Sequence, residues 1–332
     1  MLAGLAGAAV PGCGGADEPQ VVVYASVDRN FAEPVLEAFE QATGIRVLAA
    51  YDVEASKTTG MVNRLLAEKD RPRADVFWSG EFAQTVLLKR EGALAAYDSP
   101  QAADLPEAYR DPDRQWTGFA GRARAFIVNT DLVAPGDYPR SIEDLARPAC
   151  PPDKVAMANP LFGTTCTHAA ALYAAWGPER AQAFFRKVQA GGIRIAAGNG
   201  AVRDLVASGE AFWGLTDTDD IAGAVARGRP VAAVFPDQGA DGLGTLVIPN
   251  TVALVAGAPH PEAAQRLIDY LLSPEVERRL IDAGWCHVPS RPTQARPLHV
   301  RAEGVRPMAV PLADVCGCIE RAKAELAGIF VQ

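Results

Sequence analysis

Residues 209–220 read Gly209-Glu-Ala-Phe-Trp-Gly-Leu-Thr-Asp-Thr-Asp-Asp220. The apolar run at residues 211–215 predicts a short buried strand, and hydroxyl and carboxyl side chains follow it directly at residues 216–220. In open α/β sheets, ligands bind at the edge formed by the carboxyl ends of the strands. Three crowded carboxylates repel one another, so they favour a cation, a set of hydrogen-bond donors or open water. A solvated turn that caps a following helix at residues 221–227 explains this stretch equally well.

Strands and helices alternate in the N-terminal part of the chain. Apolar runs at residues 20–26, 45–51 and 75–78 predict buried parallel strands, and helical periodicity appears at residues 31–43 and 82–90. This alternation predicts a parallel sheet that helices cover on both faces, with right-handed crossovers. The three strand ends deliver polar residues to one edge of the sheet, namely Asp28, a loop that contains Lys57, and Glu81.

A second sheet region is predicted further along the chain. Residues 119–129 read as a strand that crosses into a second lobe, and residues 246–255 read as a strand that returns. Between them, hydroxyl-rich residues 159–168 precede a helix predicted at residues 169–176, and a further helix is predicted at residues 202–208. The exposed N–H groups and hydroxyls at that helix start suit an anion, and a threonine N-cap without a ligand suits them equally well.

The two crossing strands divide the chain into two predicted lobes. We expect one lobe from residues 20–122 together with 253–292, and the other from residues 123–252 together with 293–332. Residues 1–19 precede them as a leader and a flexible tether.

Composition and motifs limit the classes of function. The chain has 332 residues, 49% of them hydrophobic, and a formal net charge of −8. This length suffices for one large or two medium domains. Without a basic patch we expect no nucleic-acid binding, and no apolar run reaches the ~20 residues of a membrane span. We expect no enzyme, because the histidines show no catalytic or metal-ligand spacing and no phosphate-binding Gly motif appears; His168 is the sole candidate general base.

The first residues resemble the end of an export signal. A small, apolar stretch at residues 1–10 leads into Pro11-Gly12-Cys13, and a flexible polar stretch follows. This pattern is typical of a lipoprotein cleavage site in which Cys13 is lipidated, and a disordered Gly/Ala tail is the alternative interpretation. With Cys13 as anchor, we expect the protein in the periplasm or on the outer face of a membrane.

Five further cysteines leave at least one thiol unpaired within the chain. Cys150 with Cys166, and Cys286 with Cys316 or Cys318, are candidate bridges in an oxidising compartment. Buried, inert thiols explain the same residues equally well.

Several segments together carry a resemblance to a known family. They are Val23-Tyr-Ala-Ser-Val-Asp28, Phe39-Glu-Gln-Ala-Thr-Gly-Ile-Arg-Val47, Ala74-Asp-Val-Phe-Trp-Ser79, and a predicted helix at 261–272 followed by Ser273-Pro-Glu275. With them the chain resembles the solute-binding proteins of ABC transporters that have the type II periplasmic fold, and within these the ferric-ion-binding clade. The resemblance implies an α/β fold of two lobes, each a mostly parallel sheet covered by helices, with the ligand in the cleft between them.

The resemblance also implies a set of metal ligands. Asp28, Glu81, Asp219 and Asp220 stand at or next to the positions of the family's iron ligands. The chain departs from the family here, because Asp219 and Asp220 replace two adjacent tyrosines. Carboxylate oxygens suit a hard metal, so iron(III) or another metal remains the implied cargo, with no permanently bound cofactor.

An anion pocket is implied next to the metal position. Its residues are Lys57, Gly163, Thr164, Thr165, Asn199 and Asp217. In one interpretation it holds an anion that accompanies the metal. In the other the metal site is lost, and a phosphorylated or phosphonate solute places its anionic end at Thr164, Thr165 and Lys57. The resemblance further implies a monomer that closes about its crossing strands and delivers the solute to a membrane permease.

Overall fold

Parallel strands and helices alternate in the first part of the chain. The computed structural model describes residues 18–52 and 60–331. The first elements are β1 (Gln20–Ala25), α1 (Arg29–Thr43), β2 (Arg46–Tyr51), α2 (Gly60–Ala67), β3 (Val76–Ser79), α3 (Ala83–Arg90) and β4 (Leu94–Ala95). β1 pairs in parallel with both β2 and β3, as the sequence predicts.

A second parallel group follows. The remaining elements are β5 (Thr117–Asn129), β6 (Val155–Ala158), α4 (Gly163–Trp176), α5 (Pro178–Gly191), β7 (Arg194–Ala196), α6 (Asn199–Ala207), β8 (Trp213–Asp217), α7 (Thr218–Ala226), β9 (Val231–Val234), β10 (Val247–Val255), α8 (Pro261–Leu271), α9 (Pro274–Asp282) and α10 (Leu312–Phe330). β6 pairs in parallel with both β7 and β8.

The long strand β5 joins the two parallel groups. Its first half, residues 117–123, pairs antiparallel with β10, and its second half pairs antiparallel with β8 and β9. The described strands form one continuous sheet in the order β2-β1-β3-β10-β5-β8-β6-β7, with β4 beside β10 and β9 beside β5. β5 therefore changes its pairing partners between Ala123 and Arg124. The boundaries of the two lobes remain a prediction from the sequence.

Helices bury the apolar side chains of the sheet. One cluster packs α1, α8 and α9 onto β1 and β3 through residues such as Phe39 and Leu267. Another packs α4, α5 and α10 together through residues such as Leu172 and Leu326. Because these helices cover the strands, any charged side chain inside the sheet must find its partner there.

Three helices begin earlier than the sequence predicts. α4 begins at Gly163 instead of residue 169, α6 at Asn199 instead of 202, and α7 at Thr218 instead of 221. Threonine, asparagine and aspartate favour turns when they are solvated, but here the packing of each helix start holds them in the first turn. Thr164, Asn199, Asp219 and Asp220 therefore lie in the first turns of helices and not in loops.

The five described cysteines are all free thiols, so the candidate bridges do not form in this structure. Cys166, Cys286 and Cys316 are buried among apolar side chains, in line with the alternative interpretation. Cys13 and Lys57 lie outside the described residues. Among the helices described, none has the length and apolar character needed to cross a membrane.

Candidate functional site

Two arginines lie two residues apart inside the sheet. Arg122 and Arg124 belong to β5, and their side chains are only 8% and 0% exposed. Residues i and i+2 of a strand point to the same face, so both guanidinium groups enter the space beside the ends of β3 and β8. Each carries one positive charge, and they lie within 3.7 Å of the predicted acidic residues Asp217 and Asp219.

Hydrogen-bond acceptors enclose Arg124. Its Nη1 donates to Oδ1 of Asp217 at 2.8 Å, to Oδ1 of Asn199 at 3.0 Å and to Oγ1 of Thr164 at 3.1 Å. Its Nη2 donates to Oγ1 of Thr165 at 3.1 Å. A guanidinium cannot lose its charge in a protein, so its burial requires a counter-charge, which Asp217 supplies.

The carboxylate of Asp217 is in turn surrounded by donors. Its Oδ2 accepts from Oγ1 of Thr164 at 2.7 Å and from Nδ2 of Asn199 at 3.2 Å, and Nη1 of Arg122 lies 3.7 Å away. Burial by itself would raise the pKa of Asp217, but Arg124, and after it Arg122, hold that pKa below its usual value. Asp217 is therefore an ionised, internal anion.

Arg122 connects the ends of both parallel groups. Its Nη2 donates to the carbonyl oxygen of Gly80 after β3 at 2.6 Å, and its Nη1 lies 3.3 Å from Oδ1 of Asp219 at the start of α7. The guanidinium carbon stands 4.3 Å from the ring centre of Trp285, within cation–π distance. Its Nε is buried without a hydrogen-bond partner in the described part of the chain.

Glu81 caps a helix. Its carboxylate accepts from the backbone N–H groups of Ala83 at 2.8 Å and Gln84 at 3.0 Å, at the start of α3. Oγ1 of Thr167 on α4 lies 3.4 Å from the same carboxylate. Glu81 is therefore a helix cap at the junction of α3 and α4. Burial raises the pKa of its carboxyl group in spite of these donors.

Asp219 and Asp220 occupy the first turn of α7, where the helix dipole favours negative charge. Asp220 accepts from Nη1 of Arg203 at 3.1 Å and from Oγ1 of Thr216 at 2.9 Å. Burial, and next the negative charge of Asp219, raise the pKa of Asp220 to about 7. Burial likewise raises the pKa of Asp219, although Arg122 opposes the shift. The folded state therefore disfavours the ionised form of both carboxyl groups.

Asp28 stands at the N-cap position of α1, after β1. It borders a cavity of about 490 Å³ whose other lining residues are Ser26, Val27, Arg29, Asn30, Glu33 and Asp52. Asp28 also contributes to the field at Arg122. The cavity thus opens beside the carboxylates that gather around Arg122.

The structure does not gather the four predicted metal ligands into one cage. Glu81 bonds to backbone N–H groups, Asp219 to Arg122, and Asp220 to Arg203. In residues 18–52 and 60–331, no group of three or more His, Cys, Asp or Glu side chains could hold a metal ion. The physical reason is that buried carboxylates repel one another, so each takes its own donor. Their role as metal ligands stays a proposal.

Four of the predicted anion-pocket residues do come together, but they face an internal ion pair. Thr164, Thr165, Asn199 and Asp217 all bond within the cluster of Arg124. Gly163 opens α4 beside them with a φ of +54°, a value that glycine adopts without strain. The sequence left open whether these hydroxyls bind an anion or cap the helix, and in the structure they surround a buried guanidinium instead.

The arginines could have been found from the sequence. Arg122 and Arg124 interrupt a run that otherwise reads as a buried strand, Thr117–Asn129. Arginine is almost never fully buried without a partner, so these two predict carboxylates on the neighbouring strand ends. Asp217 and Asp219 meet that expectation.

His168 is not placed to act as a general base. It lies on α4 with its side chain buried, and its Nδ1 has no partner within the described residues. Burial, and after it the charge of Arg124, lower the pKa of His168 to about 3. The imidazole is therefore neutral and points into packed surroundings.

Comparisons with known proteins agree with this architecture. Residues 20–286 match the family model described as bacterial extracellular solute-binding protein. Iron uptake protein A1 of Synechocystis sp. is 27% identical over 77% of this chain and 72% of its own length. A periplasmic protein of Salmonella typhimurium named for 2-aminoethylphosphonate binding is 26% identical over 78% of this chain and 74% of its own.

The fold also matches solved structures. A ferric binding protein from Campylobacter jejuni superimposes with a TM-score of 0.84 at 22% identity, over 93% of this chain and 99% of that one. At this identity the similarity concerns the fold, and it confirms the two-lobed α/β architecture predicted from the sequence.

Proposed function

Because the chain belongs to the bacterial extracellular solute-binding protein family, we propose that it captures a small solute outside the cytoplasm for an ABC importer. The cargo in this proposal is a hard metal cation, with iron(III) as the first candidate. Relatives named for iron uptake and Fe(3+) binding support it. The chain is a monomer that delivers its cargo to a membrane permease without chemical turnover, and Cys13 tethers it to the membrane.

The observation that carries the proposal is the crowding of three buried carboxyl groups, Asp217, Asp219 and Asp220, at the end of β8 and the start of α7. Asp217 is neutralised by Arg124, but burial first, and then the charge of neighbouring carboxylates such as Asp217, raise the pKa of Asp219 and Asp220. A raised carboxyl pKa here means that the ionised form has lost hydration through burial and is not fully balanced by positive charge. A multivalent cation supplies that charge through oxygen ligands, which hard metals prefer.

Arg122 competes with the cargo for Asp219. To bind a metal, the Asp219 carboxylate has to leave Nη1 of Arg122, now 3.3 Å away, and turn toward the cavity beside Asp28. Closure of the lobes about β5 and β10 then brings carboxylates from both parallel groups onto the cation. The affinity for the metal therefore depends on how much more strongly the Asp219 carboxylate interacts with the cation than with Arg122.

A phosphonate solute is the second candidate. The unpartnered Nε of Arg122 and the relative named for 2-aminoethylphosphonate favour it. The predicted anchor for its anionic end is nevertheless filled, because Thr164 and Asn199 already donate to Asp217. A phosphonate at that place would meet a carboxylate and not a free donor set.

Substitution of Arg122 distinguishes the two candidates. Titration of the Arg122→Gln variant with ferric citrate and with 2-aminoethylphosphonate measures both affinities, with Arg279→Gln on the exposed face of α9 as the matched control. Two unit charges about 4 Å apart attract each other by ~1 kcal/mol in bulk water and by ~4 kcal/mol near a protein surface. A metal cargo therefore predicts tighter binding by Arg122→Gln, by about tenfold or more. If Arg122→Gln instead loses affinity for 2-aminoethylphosphonate and its affinity for iron does not change, the second candidate is the cargo.

A further inference from the structure

We propose that the cluster around Arg124 is an oxyanion-binding nest whose oxyanion is supplied by the chain itself, as the carboxylate of Asp217. The cleft then takes up its cargo without a free carbonate, phosphate or carboxylate. Uptake without a free anion rests on the proposed capture of a metal cation, whereas the nest around Arg124 does not.

The donors around Asp217 are those that bind free oxyanions. One oxygen accepts from Nη1 of Arg124 at 2.8 Å, and the other accepts from the Thr164 hydroxyl at 2.7 Å and the Asn199 amide at 3.2 Å. Thr164 lies in the first turn of α4, and Asn199 is the first residue of α6. A guanidinium, a hydroxyl and an amide, all of them side-chain donors here, form a donor set that suits a carboxylate or a phosphate.

Arg124 cannot adapt to the loss of its counter-charge. The side chain has no exposed surface, and its Nη1 and Nη2 are held by acceptors on both helix starts. Its Nε is a further buried donor without a partner in the described residues. A guanidinium held in this way keeps its charge, so the nest requires an anion at all times.

A free anion has no place in the nest while Asp217 is present. The Thr164 hydroxyl donates to Asp217, and the amide of Asn199 donates within the same cluster. A second anion bound by the same donors would be in contact with the ionised Asp217 carboxylate, and two negative charges in contact repel strongly inside a protein. Asp217 therefore makes the cleft independent of a free anion.

Removal of the carboxylate should open the nest. Asp217→Ala leaves the donors of Arg124, Thr164 and Asn199 around a space that fits a small carboxylate such as formate. Asp217→Asn fills the same space with an uncharged side chain and is the matched control.

The experiment compares thermal unfolding of the wild type, Asp217→Ala and Asp217→Asn in sodium formate and in sodium chloride of equal ionic strength. Formate should raise the Tm of Asp217→Ala alone, saturably and by about 2 °C or more. If Asp217→Ala does not fold in chloride, the yield of folded protein after refolding in formate is the readout. No response of Asp217→Ala to formate, or an equal response of the wild type, would overturn the nest.

The second statement has its own readout. The wild type, titrated with ferric acetohydroxamate, a chelate that carries no carboxylate, should show affinities with and without added bicarbonate that agree within about twofold, or about 0.4 kcal/mol. A tenfold gain with bicarbonate would overturn independence from a free anion. Failure to bind iron in both solutions would count against the proposed cargo and leave the formate result on the nest intact.

Discussion

Arg124→Met tests whether the ion pair inside the sheet stabilises the fold. Methionine keeps much of the length and the apolar stem of arginine but removes the guanidinium. Asp217 then keeps the Thr164 and Asn199 donors, while its nearest remaining positive charge is Arg122 at 3.7 Å. The variant thus leaves a buried carboxylate without its main partner.

The expected cost is large because both side chains are buried. Asp217 is 5% exposed and Arg124 has no exposed surface. Breaking such a pair by removing one partner costs about 3–5 kcal/mol. The exposed pair of Arg279 and Glu275, 2.8 Å apart on α9, should contribute only about 0.3–0.5 kcal/mol. Arg279→Met is therefore the matched control.

Urea unfolding of Arg124→Met, Asp217→Asn and the double variant gives the coupling between the two residues. Each single variant should lose about 3–5 kcal/mol, and the double variant should lose less than their sum by about 1–3 kcal/mol. A loss below about 1 kcal/mol for Arg124→Met with an unchanged m-value, or strict additivity in the double variant, would refute the role of the pair.

Three further predictions concern packing, protonation and thiols. Gly214→Ala should destabilise the protein by about 1–3 kcal/mol, because a Cβ there would lie 2.6 Å from the carbonyl oxygen of Ala156, whereas Gly191→Ala meets no atom within 4 Å and should be neutral. The folded state lowers the pKa of His168 to about 3, so the unfolded state binds a proton there more readily, and the free energy of unfolding falls as the pH drops from about 6.5 toward 3. His168→Asn should reduce this acid destabilisation by about 2–3 kcal/mol at pH 4.5. His299→Asn, at an exposed position, should not change it. The free thiols predict the same Tm with and without dithiothreitol, and a lower Tm in dithiothreitol would reveal a disulfide.

The sheet was predictable because its central strands, such as β3, β5 and β10, are buried over their whole length. β1 and β3 read as apolar runs, and the alternation with α1 and α3 indicates parallel pairing without further information. Helix starts were harder to predict. Thr164 and Asn199 favour turns in isolation, and here hydrogen bonds with Arg124 hold them in the first turns of α4 and α6.

The candidate site was predictable in its residues but not in its pairing. Sequence reasoning brought Asp217, Asp219 and Asp220 to a strand end, where the structure also has them. It treated them as one acidic cluster, because spacing along the chain shows no side-chain direction. The structure assigns Asp217 to Arg124, Asp219 to Arg122 and Asp220 to Arg203. This separation depends on arginines that are distant in sequence.

The most direct test of cation capture is the iron retained by the protein. Wild type and Asp219→Asn, dialysed against ferric citrate and then against citrate alone, are analysed by mass spectrometry of the metal, with Asp282→Asn on the exposed end of α9 as control. We predict that the wild type and the control retain iron in proportion to protein, and that Asp219→Asn loses it. Equal iron in all three proteins, or none in the wild type, would contradict a metal site at the start of α7.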